Sequence, residues 1–280
     1  MGQSALGGVR GARSIPVAPF EQDGIQELRR HFIRDAREHA WEPEEAVRAA
    51  LARHPDRAGR PEYSELAWLL ASGSSYAEQV GMDVAAGLLH ACPDADMKLV
   101  LATAVADEAK HSTVFHDYAR AVAGAVNGPS DAAEELSRDL WSLDDHTARF
   151  LAHTLAEGFA ADEFHWFVKG LRTEGLGELY RLVRRDESRH VALGMSYLAH
   201  GAGRDRLRRL PAELLLLSER IVLRNTDVDK VGSLIHRLVP EVSAGRAAGW
   251  LRARHETRMR VLTGLRDDRE ELSRCRALEP

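Results

Sequence analysis

Asp107-Glu108-Ala109-Lys110-His111 and Asp186-Glu187-Ser188-Arg189-His190 decide the reading of this 280-residue chain. Both stretches read Asp-Glu-x-basic-His. Residues three apart on a helix share a face, so each stretch presents a glutamate and a histidine to one side. A single Glu-x-x-His carries little weight in a chain with 13 histidines. Upstream, however, Glu78 stands 30 residues before Glu108, and Glu157 stands 30 before Glu187. The pairs 78/157, 107/186, 108/187 and 111/190 all keep an offset of 79, which marks an internal repeat of two helical hairpins.

The spacing has a geometric meaning. In an antiparallel hairpin, positions about 15 residues on either side of the turn lie at one height. Glu78 and Glu108 bracket Pro93 in this way. Glu157 and Glu187 bracket the Gly175 turn less evenly, an offset absorbed if the turn begins near Thr173. The six side chains then share one layer. Their flanks are apolar: Leu99 to Ala106 contains only apolar residues and Thr, and Thr154 to Ala161 is small and apolar around Glu157. Four carboxylates in such a layer would cost many kcal/mol unless cations or protons neutralise them. The competing reading, solvated Glu–Lys and Glu–Arg faces, does not account for the matched offset.

Outward from these stretches, alanine and leucine are abundant and isoleucine is scarce, so the composition favours an all-α fold. A mobile tail is expected over 1–20, followed by N-terminal helices over 21–60, one from Gly24 and one from Pro43 to about His54. A polar connection spans His54–Pro61. The bundle is expected over 61–200: helices at about Pro61–Ala91, Asp94–Val126, Asp144–Leu171 and Glu178–His200, with a short crossover helix at Asp131–Trp141. Gly175 and Gly177 read as the last turn, and Gly201-Ala202-Gly203 as the end of the fourth helix. Residues 201–280 read as C-terminal helices packing on the bundle: Pro211–Asn225, Asp227–Leu238 and Ala244–Arg274. Short first and last turns with a long middle connection describe a four-helix bundle with one crossover.

Composition excludes several chemistries. Two cysteines, Cys92 and Cys275, rule out a disulfide framework and Cys-ligated zinc or iron–sulfur sites. No stretch approaches the ~18 consecutive apolar residues of a membrane span. Residues 1–20 lack the apolar segment of a secretory leader, so a cytoplasmic protein without membrane or nucleic-acid partner is expected. Residues 201–280 are basic, with 17 Lys and Arg against 12 Asp and Glu. That balance reads as a solvated helical face, with a docking surface for an acidic partner as the sharper alternative.

The order Glu, Glu-x-x-His, Glu, Glu-x-x-His on four helices resembles the ferritin-like di-iron carboxylate oxidases and oxygenases. The resemblance covers about residues 61–200. It implies Glu78, Glu108, His111, Glu157, Glu187 and His190 as ligands of two iron ions, with manganese or mixed Mn/Fe as alternatives, and Glu108 and Glu187 as the bridging carboxylates. It also implies that Asp107 and Asp186 hydrogen-bond a ligand histidine, against the alternative of surface pairs four apart on one helix. Phe115 stands where ribonucleotide reductase small subunits carry their radical tyrosine. Val183 stands where arylamine N-oxygenases carry a third histidine, and Ala160 where rubrerythrins carry an extra glutamate. What remains is similar to the O2-activating oxidases and monooxygenases, including aldehyde-deformylating oxygenases.

The resemblance thus implies an enzyme that uses O2 to oxidise a small organic substrate by hydroxylation, desaturation, N-oxidation or C–C cleavage. A ferroxidase or metal-handling protein without organic substrate is the alternative. Electrons would come from a ferredoxin or flavin reductase, because the chain has no flavin or nicotinamide signature, and a homodimer is one expectation. Small residues on the ligand faces leave two readings open, close helix packing or an apolar cavity of a few hundred Å³. The substrate pocket would then involve Ser75, Phe115, Ala160, Ala161, Phe164 and Gly194. His153, four residues before Glu157, reads either as an extra ligand or proton-transfer group or as an ordinary hydrogen-bonded histidine.

Overall fold

The computed structural model describes residues 24–53, 61–266 and 268. The expected tail over 1–20 and most of the His54–Pro61 connection lie outside the described residues. Among the described residues there are eleven helices and no strand. Two N-terminal helices, α1 (Gly24–Glu38) and α2 (Pro43–Ala52), precede the bundle. The bundle comprises α3 (Pro61–Ala91), α4 (Ala95–Ala123), α6 (His146–Gly170) and α7 (Gly175–Ala199), with α5 (Asp131–Ser142) in the crossover between α4 and α6. Four more helices follow: α8 (Gly201–Arg209), α9 (Ala212–Asn225), α10 (Val228–Leu238) and α11 (Ala244–Gly264).

Local chemistry sets these boundaries. The Asp94 carboxylate accepts from the Asp96 and Met97 amides and starts α4, and Gly124, at φ 77°, ends it in the left-handed conformation. Asp145 caps α6 through the Thr147 and Ala148 amides. The helix pairs α3–α4 and α6–α7 make the most extensive contacts, as two hairpins should. Most of α6 is buried, because α9, α10 and α11 pack on it in addition to α7.

Three boundaries differ from the sequence reading. The second hairpin turns over 171–174, and Gly175 and Gly177 already lie in α7. Their role is close approach: a Cβ on Gly175 would run into the Ala50 carbonyl of α2, and one on Gly177 into the Leu171 carbonyl. The earlier turn centres Glu157 and Glu187 symmetrically about it. Gly201, at φ 50°, breaks α7 from α8, so residues expected only to end a helix also begin one. The last helix ends at Gly264, ten residues short of the expected Arg274.

Candidate metal centre

Glu78 comes from α3, Glu108 and His111 from α4, Glu157 from α6, and Glu187 and His190 from α7, and all six side chains are buried. Their donor atoms form two overlapping groups within 4.8 Å: Glu78, Glu108, His111 and Glu187, then Glu108, Glu157, Glu187 and His190. The 79-residue offset maps one group onto the other. Glu108 and Glu187 belong to both, and each divides its oxygens between the two imidazoles. Glu108 places Oε2 at 3.8 Å from His111 Nδ1 and Oε1 at 2.9 Å from His190 Nδ1. Glu187 places Oε1 at 3.0 Å from His111 Nδ1 and Oε2 at 3.7 Å from His190 Nδ1. Glu78 and Glu157 each approach one imidazole, at 3.4 and 3.6 Å.

Behind this layer the two hairpins exchange hydrogen bonds. His111 Nε2 on α4 donates to Asp186 on α7 at 3.2 Å, and His190 Nε2 on α7 donates to Asp107 on α4 at 3.4 Å. Each aspartate thus fixes the histidine of the other hairpin and leaves its Nδ1 facing the carboxylates. Lys110 and Arg189, the basic residues of the repeat, each pair with both aspartates. Two cations balance two aspartates there, so the four glutamates of the layer keep no such partner.

The consequences appear in the acid–base chemistry. Burial and the neighbouring charges of Glu187 and Glu108 push Glu78 and Glu157 well above the usual carboxylate range. Burial opposes ionisation of Glu108 and Glu187 too. The imidazoles of both histidines, close by on either side, hold Glu108 well below its ordinary value. The proximity of Glu157 and both histidines, acting against burial and the Glu108 charge, brings Glu187 to about 2. Burial disfavours charged imidazole, but the hydrogen bonds to Asp186 and Asp107 and the nearby glutamate charges raise His111 and His190 well above their ordinary value.

The same layer holds buried polar atoms without hydrogen-bond partners: Glu108 Oε1, both oxygens of Glu187, and Nδ1 of His111 and His190. Orphaned donors and acceptors of this kind are rare in folded proteins unless an ion or water completes them. Gly81 adds room, because a Cβ there would lie 3.0 Å from Glu108 Oε2. The residues fit a pair of hard or borderline cations held by carboxylate and imidazole.

Trp41, in the α1–α2 connection, was not singled out by the sequence. Its indole Nε1 donates to Asp186 at 2.9 Å, its ring lies parallel to His111 at 6.3 Å, and Lys110 Nζ sits 4.5 Å above it. No spacing rule could find it, because its partner lies 145 residues away.

Of the two readings left open for the small residues beside the layer, the described residues show close packing on the Phe115 side and a small cavity on the other. Phe115 and Phe164 pack with Tyr180, at ring separations of 4.9 Å each, and close that side. Ser75 and Ser112 bond each other's backbone carbonyl across α3 and α4. Ala161 is buried in the core and Ala160 packs against it half-buried. The cavity that adjoins the layer is about 10 Å³, lined by His153, Thr154, Glu157, His190 and Gly194, with Leu101 and Ala104 over it. Of the six expected pocket residues only Gly194 reaches it. His153 is buried with Nδ1 at 3.2 Å from Glu157 Oε1, and burial drops its pKa to about 4, so it is neutral. A larger cleft of about 510 Å³ lies among α9, α10 and α11, floored by His255. Behind His255, Asp162 of α6 pairs with Arg254 and with fully buried Arg258 of α11. No helix among the described residues is long and apolar enough to cross a membrane.

No family model matches the chain, and no curated protein matches it by sequence. Among solved structures, an R2-like ligand-binding oxidase with aerobically reconstituted Mn/Fe cofactor, in a tyrosine-to-phenylalanine variant, is similar at TM-score 0.65 and 18% identity. That match covers 85% of this chain and 92% of the other. The same oxidase without substitution, after a long soak, matches at TM-score 0.61 and 16% identity over the same shares.

Proposed function

The chain has the ferritin-like fold, and from it we propose a non-haem di-metal oxidase or oxygenase that uses O2 to oxidise a small organic substrate. The observation that carries this reading is the pair of overlapping four-residue groups sharing Glu108 and Glu187. Two iron ions, or manganese and iron as in the cofactor of the similar oxidase, would be held there and would supply the electrons that reduce O2.

The protein's own residues perform the remaining tasks. Glu108 and Glu187 would hold both ions, since each reaches both imidazoles. Asp107 and Asp186 fix the ring tautomers, which keeps Nδ1 free for a metal. Lys110 and Arg189 prevent the aspartates from adding charge to the layer. Val100, Leu101, Val114 and Phe115 exclude bulk water from α4, and Trp41 covers Asp186 and His111 from outside. An external ferredoxin or flavin reductase would return the oxidised metal ions to their reduced state.

The narrow cavity at the layer favours a second reading, metal handling without an organic substrate. O2 uptake after ferrous loading separates the two. Uptake that continues with a reductant and a screened acid, aldehyde or amine supports the oxidase. Uptake that stops once the iron is oxidised, whatever organic molecule is present, supports metal handling.

A further inference from the structure

A repeat should produce two equal metal positions, and here it breaks at one place. Leu101, His153 and Gly194 line the cavity of about 10 Å³ beside His190. Counting 79 residues along or back gives their counterparts beside His111: Tyr180, Ser74 and Phe115. There the Tyr180 hydroxyl and Ser74 Oγ are hydrogen-bonded at 2.9 Å, and the Tyr180 and Phe115 rings pack at 4.9 Å with no exposed surface. Ala104, over the cavity, corresponds to buried Val183. On the His190 side Phe150, where the other half has Ala71, and Thr154, which closes onto Gly194, take up most of the space and leave about 10 Å³, whereas Tyr180 and Phe115 pack closed on the other side.

The geometry points to a binding site for one small polar molecule of water size, held between His153 and Glu157 next to His190. It rests on the proposed metal centre only in treating His190 as a ligand. The volume matches the roughly 10–15 Å³ that one water requires. The lining supplies polar partners: the His153 imidazole, the Glu157 carboxylate, and the Thr154 hydroxyl, which donates to the Phe150 carbonyl and keeps its acceptor capacity. Glu157 Oε1 lies 3.2 Å from His153 Nδ1 and Oε2 lies 3.6 Å from His190 Nδ1, so one carboxylate joins the cavity to the layer. A small molecule held there would lie beside the His190 position and not beside the His111 position.

Crystal structures of the full chain and of Ala104→Leu test this without metal. Expected is an ordered water bonded to His153 and Glu157 in the unsubstituted protein, lost in Ala104→Leu, with no water beside Phe115. A dry cavity, or a water beside Phe115 as well, overturns the proposal. If Ala104→Leu does not fold, His153→Phe must lose the water instead. Nitric oxide titrated into ferrous-loaded protein, read by absorption, gives a second measure. Binding should weaken about tenfold in Ala104→Leu and stay within about twofold in Val183→Ala, the counterpart position. Equal binding in Ala104→Leu and the unsubstituted protein overturns the site. A chain that takes up no iron contradicts the proposed function instead, and the crystallographic water still decides the cavity.

Discussion

His111 on α4 donates its Nε2 hydrogen to Asp186 on α7 across 3.2 Å, and not to Asp107 on its own helix. Asp107 in turn accepts from His190. The exchange ties the two hairpins together and aims both Nδ1 atoms at the glutamates. Asp186→Asn keeps the shape and removes the charge that polarises the imidazole. Metal affinity should fall by about 10–100-fold, as for other such contacts behind a ligand. Asp107→Asn should do the same for the His190 position. Competitive metal titration measures both, and unchanged affinity would count against the orienting role.

The shared carboxylates separate from the unshared ones by stoichiometry. Glu78 belongs to one group and Glu157 to the other, whereas Glu108 and Glu187 belong to both. Glu78→Ala or Glu157→Ala should retain about one metal ion per chain, and Glu108→Ala should lose both, measured by elemental analysis of reloaded protein. Full occupancy in Glu108→Ala would overturn the ligand assignment.

Metal uptake should depend on pH with a definite sign. Glu78, Glu157, His111 and His190 all have folded pKa values above their ordinary ones. Such groups stabilise the metal-free fold below their unfolded values, and that contribution is lost as pH rises, from about 4.5 for the glutamates and about 6.5 for the imidazoles. Metal ions replace those protons, so binding releases protons and tightens with pH. The gap in Tm between loaded and metal-free protein should widen from about pH 6 to about pH 8. Asp107 and Asp186 act oppositely. Their pKa values are held below the ordinary range against burial, by His190 and His111 and by the neighbouring Lys110 and Arg189. Their contribution is present above about pH 4 and lost below it. A Tm gap that narrows toward pH 8 would contradict this charge arrangement.

Asp162 and Arg258 anchor α11 to α6, and Gly158 leaves space for the guanidinium, which a Cβ there would strike. Asp162→Ala strands a buried arginine and should cost about 3–5 kcal/mol. The double change Asp162→Ala with Arg258→Met should recover most of that loss. Denaturant unfolding of these two variants and of Arg258→Met alone measures the coupling, and additive losses would show the pair is not a unit.

The repeat made the bundle and its six convergent residues legible in the sequence, because helix periodicity and hairpin symmetry translate directly into height and face. Features set by distant packing were not legible. Gly175 read as a turn because a glycine serving a turn and one serving close approach look alike in sequence. Its reason, the Ala50 carbonyl, lies on α2. Trp41 carries no local signal for Asp186. The small residues at Ser75, Ala160 and Gly194 were compatible with either a cavity or close packing, and sequence could not choose because Phe115, Phe164 and Tyr180 converge from three helices to fill one side of the layer.

Elemental analysis of the purified chain after anaerobic loading with ferrous iron, or with manganese and iron, tests the central claim most directly. The account predicts about two metal ions per chain, the number that two overlapping carboxylate–histidine groups hold. A folded chain that retains none under these conditions would contradict it.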